Sequence, residues 1–287
     1  LNIDEDHLDY FKSIDHIQDT FVQYAKNLDE NGCLVINSDD DGAEMVIENT
    51  KAKVYTFGIH SDCDYKAEDI SFSKEGYPTY NLKIKSGKTY IVNLSVMGIH
   101  NVYNSLASIA AAHIYGVAIE DILERITLYT GVHRRLELKG YYNGAKIIDD
   151  YAHHPTEIKA TLNALRNSTN GNIYCVFQPH TYTRTKLLLN SFAESFGAAD
   201  KIIITDIYAA REKDNGLIHS KDLVNAIFDR GFDAIYLGSF GEVESYLVNN
   251  VKEDDVILTM GAGNVYMIGD SIMEQNGEEG KNEKAAV

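Results

Sequence analysis

The residues Asp149-Asp150-Tyr151-Ala152-His153-His154-Pro155 decide how this chain reads. Ala145-Lys146-Ile147-Ile148 runs into them as an apolar strand, and Pro155-Thr156-Glu157 opens a helical pattern on the far side. Two carboxylates, a phenol and two imidazoles therefore sit where a strand gives way to a helix. In an open α/β sheet that edge is where ligands bind. Taken singly, Asp150 or either histidine could simply satisfy the turn and the helix start. Five polar groups in one turn favour a functional reading.

Outward from this stretch the pattern is regular. Upstream, a strand over 136–142 turns at Asn143-Gly144, a strong hairpin signal, and pairs with the strand leading into Asp150. Downstream, helix 155–166, strand 172–178, helix 183–196, strand 201–205, helix 219–230, strand 234–237, helix 240–249, strand 255–260 and helix 264–274 alternate. Repeated βα units imply a mostly parallel sheet with helices on both faces, here with one antiparallel edge strand. Polar residues follow the strand ends: Gln178-Pro179-His180-Thr181-Tyr182-Thr183-Arg184-Thr185, then Asp206-Ile207-Tyr208-Ala209-Ala210-Arg211-Glu212, then Gly261-Ala262-Gly263-Asn264. With Tyr151, His153 and His154 they can form one pocket, in which Arg184 and Arg211 suit a carboxylate or phosphate. Gly261-Ala262-Gly263 is only the start of a dinucleotide fingerprint, because Tyr266 stands where its third glycine belongs.

The first part of the chain reads differently. Leu8, Phe11, Ile14, Ile17, Phe21, Tyr24 and Leu28 recur at helical spacing, and Gly32 can end that helix. The acidic residues before it suit a helix start. His7 is not needed there and stands as a candidate metal ligand. Strands follow over 33–37 and 53–59, and 64–95 alternates as a β-meander. Gly87-Lys88-Thr89 resembles the end of a phosphate-binding loop, but Leu82 occupies the place of its first glycine and no helix follows, so it reads as a hairpin turn. A helix over 105–115 carries Asn101 and Asn104 at its opening, one turn apart and on one face. They can cap the helix, or pair with an adenine edge. The boundary falls near Tyr129-Thr130-Gly131, dividing the chain into 1–132, 133–275 and a polar tail, 276–287, expected to be disordered.

Composition narrows the function classes. The 287 residues carry a net charge of −17, which argues against a nucleic-acid partner. Three widely spaced cysteines without a CxxC pair read as free thiols in a reducing cytosol. No apolar run approaches the ~18 residues of a membrane span, so no membrane role is expected. The chain opens on Leu1 rather than Met, which reads as a piece of a longer protein.

Several of these residues, in this order, resemble the motifs of Mur ligases. They are Asn2-Ile3-x-x-Asp6-His7-Leu8-Asp9, Gly98-x-His100-Asn101-x-x-Asn104, Arg134-Arg135, the run 149–157, and Gln178-Pro179-His180-x-Tyr182-x-Arg184-Thr185. The resemblance extends to about residue 274. It implies the later part of a central ATP-binding domain, followed by a Rossmann-like domain that takes the amino acid. It also implies an ATP-dependent ligase of peptidoglycan precursor synthesis that joins L-alanine to UDP-N-acetylmuramate through an acyl phosphate, in the cytoplasm. As a fragment without the phosphate-binding loop, this chain is expected to be inactive alone. By resemblance His7 would hold Mg2+, and Asn101 and Asn104 would hold the adenine of ATP. Arg135 and Asp150 would meet the nucleotide's phosphates and ribose. Tyr151, His153, His180 and Arg184 would line the alanine and acyl-phosphate site. Some relatives carry arginine where Thr181 stands, so one carboxylate clamp is expected to be missing. A catalytically silent small-anion binder, a related ligase with another amino acid or peptide substrate, and a metal hydrolase built on His153 and His154 are the competing readings.

Overall fold

The computed structural model describes residues 1–285 apart from Asp9 and Asn215, with side chains as far as Gln275. The chain divides into two units, Leu1–Thr130 and Gly131–Val287.

The first unit runs α1 (Ile14–Lys26), β1 (Cys33–Asn37), α2 (Ala43–Glu48), β2 (Lys53–Gly58), β3 (Tyr65–Phe72), β4 (Pro78–Ile84), β5 (Thr89–Asn93), α3 (Ile99–Ile114) and α4 (Ile119–Thr127). The expected meander is present as antiparallel β3-β4-β5, but it joins β1 and β2, which run parallel, in one five-stranded sheet. Gly87, at φ 93°, turns β4 into β5 as a hairpin, with Gly87 N–H donating to Ile84 O. The core packs Phe57, Tyr80, Leu82 and Val92 of the sheet against Val102, Leu106, Ile109 and Ile122 of the helices. The helix expected from about Leu8 starts later, where Ser13 caps Ile14 and accepts from His16 N–H. Its buried face is Ile17, Val22 and Ala25, while Phe21 and Tyr24 are 42% and 63% exposed. The small residues face inward because Val22 and Ala25 pack with Val46, with Ile3, Leu34 and Ile36 against them. Spacing alone does not say which of two apolar stripes finds a partner.

The second unit runs β6 (Glu137–Tyr142), β7 (Ala145–Asp150), α5 (Pro155–Arg166), β8 (Ile173–Phe177), α6 (Tyr182–Leu187), α7 (Leu189–Ala193), β9 (Lys201–Ile204), α8 (Ser220–Phe228), β10 (Ala234–Tyr236), α9 (Phe240–Asn250), β11 (Val256–Met260) and α10 (Tyr266–Ala285). Its six strands are ordered β10-β9-β8-β11-β7-β6, all parallel except the edge strand β6. Asn143 and Gly144 both take positive φ at the β6–β7 turn, as a two-residue hairpin requires. Strand residues alternate between two apolar layers. Ile147, Val176, Ile203 and Ile257 pack with Val243, Leu247, Ile268 and Ile272, whereas Phe177 meets Phe192 and Phe196 on the other face. The helix expected over 183–196 breaks at Leu188 into α6 and α7. The tail expected from 276 onward lies, for its side chains, outside the described residues.

Among the described residues no helix is long and apolar enough to cross a membrane. All three cysteines are free.

Candidate active site

Parallel strands all point their carboxyl ends to one edge, so β7, β8, β9 and β11 deliver their following loops together. At the end of β7 the chain turns into α5 through a capping box. His154 Nδ1 accepts from Thr156 N–H at 3.3 Å, and the Glu157 carboxylate accepts from the N–H groups of His153 and His154, at 3.0 and 3.2 Å. His154 is thus buried in a structural task, and only His153 of the pair turns to the sheet edge. That splits the two-histidine centre a metal hydrolase would need.

The paired acids divide in the same way, because neighbouring strand residues face opposite sides. Asp149, 1% exposed, accepts from Arg134 Nε at 2.8 Å and Thr259 Oγ1 at 2.7 Å. Asp150, 3% exposed, accepts from Leu136 N–H and Ala152 N–H, each at 2.8 Å. Burial pushes the Asp150 carboxyl up to about 6, against the pull of those two amides and of Arg135. Both of its oxygens are engaged by backbone.

The two arginines also separate. Arg134 takes positive φ, pairs with Asp149, and donates to Gly263 O (3.1 Å) and Gly261 O (2.7 Å). Its guanidinium lies over the rings of Tyr151 and Tyr266, at 5.0 and 4.8 Å. Arg135 is exposed, 3.4 Å from Glu157 and 5.7 Å from the Tyr151 ring.

Four aromatic rings form a row along the edge. Tyr151 meets His153 edge-on at 5.4 Å, His153 meets His180 at 5.7 Å, and His180 stacks on Tyr208 at 5.8 Å and 15°. Tyr208 reaches this place because its N–H donates to Pro179 O at 2.8 Å, continuing the β8–β9 pairing past the strands. Gly263 makes room, since a Cβ there would lie 2.8 Å from the Tyr208 ring and would strike Gln178 Oε1. One turn after His180, Arg184 Nη1 donates to His180 Nδ1 at 3.1 Å and to His180 O at 2.9 Å. Burial, then the nearby His153 and Arg184, hold the His180 imidazole below its ordinary value. Glu212 latches the start of α6, accepting from Thr181 Oγ1 and from Thr183 N–H at 2.9 Å. Burial would raise its carboxyl, but these hydrogen bonds outweigh it and bring it below its usual range.

The expected convergence of Tyr151, His153, His180 and Arg184 on one rim is therefore present. Arg211 lies exposed on the same loop as Tyr208 and Glu212. The sequence shows Arg134 and Asp149 only as separate motif residues, and Tyr208 and Glu212 only as members of the polar run after strand 201–205; it does not show that the first two pair or that the last two reach His180 and α6.

In the first unit, Asn101 Nδ2 donates to Met97 O and Asn101 Oδ1 accepts from Asn104 Nδ2, so the two amides form a linked pair at the start of α3. Asn104 is exposed and keeps one carbonyl acceptor and a second N–H. His7 is 3.8 Å from Asp6, with 69% of its side chain exposed. Among the described residues no group of three or more His, Cys, Asp or Glu could hold a metal ion.

Residues 1–112 match the Mur ligase middle domain, and residues 134–263 match the Mur ligase glutamate ligase domain. The chain is 48% identical over 276 residues to the UDP-N-acetylmuramate–L-alanine ligase of Caldanaerobacter subterraneus subsp. tengcongensis. It is 47% identical over 275 residues to the enzyme of the same name from Acetivibrio thermocellus. Each match takes in 96% of this chain, which spans 60% and 59% of those relatives' lengths. Among solved structures, UDP-N-acetylmuramate-alanine ligase from Thermotoga maritima matches with a TM-score of 0.75 at 26% identity, covering 96% of this chain and 58% of that one.

Proposed function

This chain belongs to the Mur ligase family, and from that premise we propose that the whole protein uses ATP to join L-alanine to UDP-N-acetylmuramate through an acyl phosphate. The observation that carries the reading is the convergence of His153, His180, Arg184 and Tyr151 on one sheet edge, in a chain nearly half identical to relatives of that name. In this reading residues 1–132 are the later part of the ATP-binding domain and residues 133–275 take the amino acid. The protein would work in the cytoplasm, where its nucleotide substrates are made.

Each residue has a task its geometry suits. Asn104, supported by Asn101, offers the donor and acceptor that an adenine edge needs. The exposed Arg135 guanidinium suits a phosphate. Arg184 suits a carboxylate, and Tyr151 walls the site on the β7 side. Asp150 acts from beneath, holding the backbone of Leu136 and Ala152 so that Arg135 and Tyr151 keep their places. Mg2+ bound with ATP would neutralise phosphate charge. His7, exposed at the start of the first unit, is the residue proposed to reach it.

Residues 1–287 contain no Gly-x-x-x-x-Gly-Lys run, so ATP turnover is expected of the whole protein and not of this segment alone. The test is ADP release by the whole protein. Release should require UDP-N-acetylmuramate and L-alanine together. Release indifferent to alanine, or faster with another amino acid or a peptide, would overturn the assignment. Anion binding with no nucleotide turnover would favour a silent binding module.

A further inference from the structure

His153 and His180 sit side by side, yet their ring nitrogens are committed in opposite senses. The Nδ1 of His180 lies 3.1 Å from Arg184 Nη1. A guanidinium only donates, so this nitrogen accepts, and the neutral ring carries its proton on Nε2. The Nδ1 of His153 lies 3.0 Å from Tyr151 O and 3.5 Å from Glu157 Oε2. Both of those oxygens only accept, so this nitrogen donates, and the neutral ring carries its lone pair on Nε2. Turning either ring by half a rotation would put a carbon where Nδ1 makes its bond. The rings are also wedged, His180 against Tyr208 and His153 against Tyr151.

Resting on the ligase reading above, we propose that the two histidines divide the proton work of amide formation, with His153 Nε2 as the base for the incoming amine and His180 Nε2–H as the donor to the oxygen that gains charge. The amino acid arrives as an ammonium. His153 Nε2 takes one proton and later returns it to solvent. The freed lone pair attacks the acyl-phosphate carbonyl, forming the C–N bond and pushing the C=O pair onto oxygen, which His180 stabilises. The carbonyl then re-forms, the C–O bond to phosphate breaks, and the second amine proton leaves on the departing hydrogen phosphate. Burial, and after it the neighbouring His153 and Arg184, shift His180 toward its neutral form, which suits a donor with a fixed tautomer.

Two measurements on the whole protein test this. Ring ¹⁵N spectra at neutral pH, assigned with His153→Gln and His180→Gln, should show the proton on Nδ1 of His153 and on Nε2 of His180. The same tautomer at both positions overturns the proposal whatever the enzyme does. In alanine-dependent ADP release, His153→Gln should lose about 10²–10⁴-fold in kcat, because an amide cannot take a proton. His180→Phe should lose about 10²–10³-fold, the cost of one oxyanion donor, while His180→Gln keeps an N–H and loses no more than about 10-fold. Equal losses in the two glutamine variants overturn the division of labour. A wild-type protein indifferent to alanine but showing opposite tautomers defeats the ligase reading, and with it the catalytic roles, while leaving the tautomers standing.

Discussion

Replacing Arg134 by alanine should destabilise the second unit far more than the same change at Arg135, although the two residues are neighbours. The Arg134 guanidinium donates to Asp149, Gly261 O and Gly263 O, and its flat faces cover Tyr151 and Tyr266. Without it the Asp149 carboxylate, 1% exposed, is left with Thr259 as its polar partner. Removing one partner of a buried ion pair costs about 3–5 kcal/mol, because the remaining charge is stranded. Arg134 is itself 22% exposed, so water can reach the gap and the lower end of that range applies, about 3 kcal/mol. Arg135, half-exposed and 3.4 Å from Glu157, should cost no more than about 0.5 kcal/mol. Hydrogen exchange of the β7 and β11 amides in increasing urea reads the second unit directly. Arg134→Ala should bring those amides into exchange at markedly lower urea, and Arg134→Met with Asp149→Asn should recover part of the loss. A drop below about 1 kcal/mol for Arg134→Ala, or an equal drop for both arginines, would refute the assignment of Arg134 to structure and Arg135 to ligand.

Asp150 should titrate near 6 in a carboxyl ¹³C experiment. Its folded value lies above its unfolded one, so the native state binds the extra proton and this group adds stability as pH falls from about 6 to about 4. Asp150→Asn should flatten that part of the stability profile. Glu212, held low, acts oppositely: its contribution is present above its unfolded value and lost as pH falls through the folded one. Glu212→Ala should free the start of α6 and raise KM for alanine more than it lowers kcat, with Glu212→Gln recovering part of the effect in steady-state kinetics. Gly263→Ala, whose Cβ would lie 2.8 Å from the Tyr208 ring, should cost about 1–3 kcal/mol by thermal denaturation and displace the ring row, seen as changed His180 ring shifts.

The second unit was legible in its sequence because its signals are local. Asn143-Gly144 marks a hairpin, Pro155 with Glu157 marks a helix start, and runs such as Lys201–Ile204 and Val256–Met260 read as buried parallel strands. Strand direction then places every following loop on one edge, which is why Tyr151, His153, His180 and Arg184 could be brought together in advance. What the sequence hid depends on distant partners. Arg134 and Arg135 look alike until Gly261 and Gly263 are known to lie beneath the first. Asp149 and Asp150 look alike until strand alternation assigns one to an arginine and the other to two amides. Tyr208 and Glu212 lie in a loop with no periodicity, and only the backbone bond from Tyr208 to Pro179 carries that loop to His180. The inward face of α1 was hidden for the same reason, since Val46 and Leu34 select it.

Charge poses a further constraint on the proposed activity. A chain of net charge −17 repels anions at long range, and both nucleotide substrates of the proposed reaction are anions. At physiological salt such repulsion is screened within roughly 8 Å, so the groups that touch the ligand decide binding. Along the second unit's edge the groups proposed to do so are Arg184, Arg135, His153 and His180, while the carboxylates of Asp149, Asp150 and Glu212 are each tied into hydrogen bonds. The negative charge of these three carboxylates is thus committed to the backbone, Thr181 and Arg134. Neutralising exposed acids far from this edge should therefore speed substrate association at low salt and leave kcat unchanged. A kcat that tracks net charge would mean that the rim does not control its own electrostatics.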